Sequence, residues 1–161
     1  MKKVLCIALV FLLFCSSFAF ALETALFDMR NNIFKEARAI KPLMAASKDV
    51  ILLSSMWDSC LMAVSQLDGY FSMVGIFNEI KQENITDSAI AYLADWLNTI
   101  KATNEINIKS LSGITKTVEP KSKVHVEILK AQFSNLNKRI DSEIQKVSAL
   151  KASIKKPSVK K

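Results

Sequence analysis

Residues 50–74 read VILLSSMWDSCLMAVSQLDGYFSMV, and their spacing decides the fold. Val50, Leu53, Trp57, Cys60, Val64, Leu67, Phe71 and Val74 alternate steps of three and four without a miss. That is the mark of one apolar stripe on an α-helix. Asp49 precedes the stripe, where a carboxylate can accept from the free amides of a first helical turn, and it is the expected N-cap. Inside the stretch lies MWDSCLM (56–62), a carboxylate beside a thiol. On a helix, Asp58 points roughly 100° away from its neighbours, whereas Trp57 and Cys60 fall on the stripe and are expected to face inward together. No His, Lys or Arg lies within a turn of Cys60 to stabilise a thiolate. The expectation is therefore a small core residue rather than a nucleophile.

The other side of this helix carries Ser55, Asp58, Ser65, Gly69 and Ser72, with Leu61, Met62 and Ile76 among them. Small residues permit close approach of a neighbour. Leu61, Met62, Ser65, Gly69, Ser72 and Ile76 are thus read in two ways: as a second packed face within the same bundle, or as a face for a partner or ligand.

Working outward, the same periodicity recurs three times. Leu26, Met29, Ile33, Ala37, Ile40 and Met44 form one stripe, which Pro42 must either kink or end near Ile40. Asp87 is the expected cap of a helix bearing Ile90, Leu93, Leu97, Ile100, Asn104, Ile108 and Leu111, with Gly113 as its C-cap. Pro120 opens the last helix, which carries Val126, Leu129, Phe133, Leu136, Ile140, Ile144, Val147, Leu150 and Ile154 and is closed by Pro157. Four helical stripes, three glycines and no strand-like alternation predict an all-α, up-and-down four-helix bundle.

The ends set compartment and charge. Lys2 and Lys3, an apolar run from Val4 to Phe14, and small residues ending at Ala19-Phe20-Ala21 form a secretory signal. Cleavage is expected after Ala21, with Ala19 as the alternative cut. The expected organisation is a signal over 1–21, a bundle over 22–155 and a basic tail over 156–161. Cys6 and Cys15 leave with the signal, so Cys60 has no partner for an intramolecular disulfide. The expected location is periplasmic or secreted, in a bacterium. Residues 22–100 hold 6 basic and 10 acidic side chains, against 14 and 5 in residues 101–161. No acid follows Glu143. Lys151, Lys155, Lys156, Lys160 and Lys161 are therefore either a solvated end that aids solubility or a contact for an anionic membrane or envelope polymer. They lack the interleaved aromatics of single-stranded nucleic-acid binders, which argues against that class of partner.

Chemistry is sparsely represented. His125 is the single histidine, with Lys121 and Leu129 a turn away, neither a metal ligand. No haem-attachment, zinc-protease, nucleophile-elbow or phosphate-loop motif occurs. No catalytic, cofactor or metal residue is expected. The sequence reads as a non-enzymatic bundle that binds a macromolecule, by partner docking or self-association, or an anionic surface. The competing reading is a carrier holding a small apolar ligand between helices near Trp57, Tyr70, Phe71 and Phe77.

Overall fold

A computed structural model describes residues 25–80, 85–114 and 118–154, the last five by their backbone alone. The described residues form four helices and no strand. Helix α1 covers residues 25–40 and passes directly into a 3-10 turn, Lys41–Ala45. Helices α2 (Val50–Glu79), α3 (Asp87–Gly113) and α4 (Pro120–Ile154) follow. Pro42 thus ends the α-helix at Ile40 rather than kinking it. It sits in the first turn of the 3-10 segment, where a missing amide donor costs least.

Paired contacts give the topology. Arg30 meets Asp68 and Phe27 meets Phe71, while Lys41 at the other end of that seam lies over Trp57, so α1 and α2 are antiparallel. Gln66 bonds Thr103 and Ser59 bonds Asn107, which sets α3 antiparallel to α2. Asn104 bonds Asn137 and Lys101 bonds Asp141, running α4 back along α3. Glu36 and His125 join α1 to α4. The circuit is the up-and-down bundle that the short turns predict.

The core follows the four stripes, with one rotation. Leu26, Ile33, Ala37 and Ile40 of α1, Ile90, Leu93, Leu97 and Ile100 of α3, and Leu129, Phe133, Leu136 and Ile140 of α4 are all buried. In α2 the buried set is Leu53, Met56, Cys60, Ala63, Val64, Leu67 and Tyr70. Val50 is exposed, and Trp57, Phe71 and Val74 lie half-buried at the margins. A strict 3.5-residue repeat drifts by about 20° per heptad on a straight helix. Wedged between α1 and α3, α2 buries a wider arc whose centre passes through Met56, Ala63 and Tyr70. Trp57 consequently does not face inward with Cys60.

Three end residues also differ from expectation. Asp49 precedes α2 but makes no side-chain cap. Its Oδ2 instead accepts from the backbone N–H of Glu119 at 2.8 Å, tying the α1–α2 connection to the start of α4. Ser47 strengthens that tie, donating its hydroxyl to Glu119 Oε2 at 2.8 Å. Thr86, not Asp87, caps α3, its Oγ1 accepting from the Ala89 N–H. Gly113 remains helical with no positive φ, so it does not act as a left-handed C-cap. Asn104, by contrast, sits on its stripe: fully buried, its Nδ2 donates to Asn137 Oδ1 at 3.0 Å. A polar residue in an apolar layer thus has a polar partner on the facing helix.

Candidate functional site

The side of α2 turned away from the core divides into three parts. Met62, Ser65, Ser72 and Ile76 are exposed. Leu61 turns toward α1 and packs on the core margin. Gly69 faces α3, where a Cβ would come within 3.0 Å of the Trp96 ring. Trp96 is held there by its indole N–H, which donates to the Gln66 carbonyl at 2.9 Å. Of the six residues read as a docking face, Gly69 therefore serves a close approach inside the bundle, as the alternative reading of that strip allowed.

Ile51 extends the exposed part. It is 84% exposed, with Met62 at 52% and Ile76 at 59%. Ile51, Met62 and Ile76 are spaced by 11 and 14 residues, close to three and four whole turns, so they line one stripe along the helix. The signal for Ile51 is present in the sequence, three turns before Met62 on the same side of the helix. Ile51 and Met62 border an open groove of about 630 Å³ with Ser54, Ser55 and Asp58. Helix α2 is also the one described helix long and apolar enough to cross a membrane by length and composition, yet only 33% of that apolar window is buried. Gly69 lies on the same stripe, five turns from Ile51, and Trp96 covers it, so the stripe is open at Ile51, Met62 and Ile76 and closed between the last two.

Cys60 is fully buried, and burial first, then the negative charge of Glu36, pushes its thiol up to about 12. At neutral pH it is a protonated, inert core side chain. Glu36 itself meets His125 Nδ1 at 2.5 Å, in a largely buried pair spanning 89 residues of sequence. No local motif could have disclosed it. Among the described residues, no three His, Cys, Asp or Glu side chains are placed to hold a metal ion.

A second polar insertion is equally hidden in the sequence. The Glu143 carboxylate is fully buried on α4, its Oε1 accepting from Lys146 Nζ at 3.0 Å with Arg139 Nε at 3.4 Å, while Oε2 has no hydrogen-bond partner among the described residues. Burial outweighs the two cations and raises its pKa. Tyr70 of α2 is raised as well, by burial and then by the Glu143 charge.

Of the aromatics read as a ligand site, Tyr70 is in the core. Phe71 packs against Phe27 at 5.8 Å between ring centroids, Phe77 is half-buried, and Trp57 borders a groove, toward α1. The Lys151 side chain and the whole of Lys155, Lys156, Lys160 and Lys161 lie outside the described residues, as do residues 1–24, where the signal is expected. No protein-family model matches the chain, and no curated protein or solved structure matches it.

Proposed function

We propose that this chain is an exported, non-enzymatic helical bundle that works by binding another macromolecule of the bacterial envelope or secreted space. Its docking surface is the outward face of α2, and its lysine-rich end supplies a second contact for anionic surfaces. The observation that carries the reading is the row Ile51, Met62 and Ile76, exposed on a helix whose inward side is already filled. They stand about 16 and 21 Å apart along the axis, so we read them as separate anchors for a partner laid along the helix. The intervening Ser54, Ser65 and Ser72 are small, so a partner can approach the backbone closely. Export rests on the signal of residues 1–21, and the anionic contact on the lysines that follow Glu143. The absence of catalysis rests on the lack of sequence motifs and on a single thiol held protonated.

A photoreactive benzophenone residue tests the face. Placed at Met62 or Ile76 in cells of the native host, it is expected to trap an envelope component in a discrete adduct. The same group at Asn98, exposed on α3, is expected to trap none. Equal trapping from all three positions, or none from any, would contradict the assignment.

A further inference from the structure

A second groove, of about 600 Å³, runs along the α1–α2 seam on a different side of the molecule. Its apolar lining is Phe34 and Pro42 from α1 and the 3-10 turn, with Trp57 and Leu61 from α2. Its polar lining consists of two cations, Arg38 and Lys41. Lys41 Nζ lies 5.7 Å from the centroid of the Trp57 ring, and neither cation has an acidic partner among the described residues. Of the nearby acids, Glu36 pairs with His125 and Asp68 is gripped by Arg30, while Asp58 borders the other groove, on the outward side of α2. An aromatic and aliphatic bed thus carries uncompensated positive charge along one edge.

We propose that this groove binds an amphiphile with a single anionic head, a carboxylate or phosphate on an apolar tail. The tail lies over Trp57 and Leu61, displacing the Lys41 ammonium from the ring and reaching the edge of Phe34, whose face carries the Arg30 guanidinium at 5.3 Å, and the head sits between Arg38 and Lys41. The groove is an open furrow that holds a tail along its length without enclosing it, and the charge selects the sign of the head. A guanidinium can hold two oxygens of such a head at once, while the lysine contributes a mobile point charge. This site is separate from the docking face of α2 and stands whether or not that face has a partner.

Trp57 is a built-in reporter, with Trp96 as the internal control on the α2–α3 seam. The full chain is titrated with decanoate, dodecyl phosphate, decanol and decyltrimethylammonium, each below its micelle concentration, and Trp fluorescence is recorded. The anions are expected to change the Trp57 emission and to bind roughly tenfold more tightly than the alcohol, two rim charges each contributing a few-fold. The cationic amphiphile is expected to bind more weakly than the alcohol. The double variant Arg38→Gln/Lys41→Gln alters only exposed side chains and should keep its helical circular dichroism. It should lose the preference for anions while retaining its affinity for decanol. Trp57→Phe should abolish the spectral change. Equal affinity for anion and alcohol, a preference that survives the double variant, or a signal that persists in Trp57→Phe would overturn the proposal.

Discussion

Helices α2 and α4 are of comparable length, 30 and 35 residues, and both carry an unbroken inward stripe, but they treat their outer sides in opposite ways. Over α2 only Asp58, Asp68 and Glu79 are charged, and Asp68 is taken by Arg30. Over α4, charges recur at nearly every turn, from Lys121 to Lys151. The outer side of α4 exposes Val124 and Ile128 among its charges. That of α2 leaves Ile51, Met62 and Ile76 in solvent with few charges to screen them. Both helices line the core, and they differ in how densely charge surrounds the apolar side chains they expose.

If the two inward faces are equivalent, truncating either should cost alike. Leu67 of α2 and Leu136 of α4 are both fully buried, and each Leu→Ala change is expected to lower stability by about 2–5 kcal/mol. Chemical denaturation monitored by circular dichroism measures both. A loss on α2 much smaller than on α4 would break the equivalence and make α2 a loosely held element.

The two glycines of α2 sharpen the division of its outer side. Gly69→Ala drives a Cβ to 3.0 Å from a Trp96 ring that is itself hydrogen-bonded, and is expected to cost about 1–3 kcal/mol. At Gly75 an added Cβ meets nothing within 4 Å, so Gly75→Ala should raise stability by up to about 1 kcal/mol through helix propensity. Opposite signs at these two sites would place the boundary between the face used by α3 and the face left open.

Glu143 is where α4 departs from its own pattern, placing a carboxylate beside Tyr70 of α2. Its folded-state pKa lies above the unfolded value, so the native state binds the proton more tightly. Stability should then fall as pH rises from the ordinary carboxylate range, about 4.3, through the raised value. Glu143→Gln is expected to remove that downward slope and to be no less stable than the native chain at neutral pH. Denaturation midpoints over pH 4–8 give the answer; an unchanged slope would assign it to other groups.

The parts of this architecture legible in the sequence are those that rest on local periodicity. The stripes of α3 and α4 alternate with charge and could be read residue by residue. Helix α2 was recognisable as a helix, but an apolar residue on an apolar helix does not announce its direction. Periodicity therefore points Trp57 and Val50 inward and does not single out Ile51, whereas the fold leaves Val50 and Ile51 exposed. What depended on distant partners was not legible. Asp49 serves a backbone amide 70 residues away, Glu36 meets a histidine on the last helix, and Glu143 reads as a surface residue until its burial is known. Gly69 lay between the two cases, since a small residue signals close approach without saying whose.

The smallest expected effect bears most directly on the claim that α2 has an outer face the fold does not use. Ile51, Met62 and Ile76 are replaced together by Ser, and the unfolding free energy is measured by chemical denaturation. Three exposed substitutions should together cost no more than about 1 kcal/mol, with an unchanged denaturant slope. A loss of several kcal/mol, equal to that of Leu67→Ala, would show that the bundle itself buries this face and would remove the surface on which the docking proposal stands.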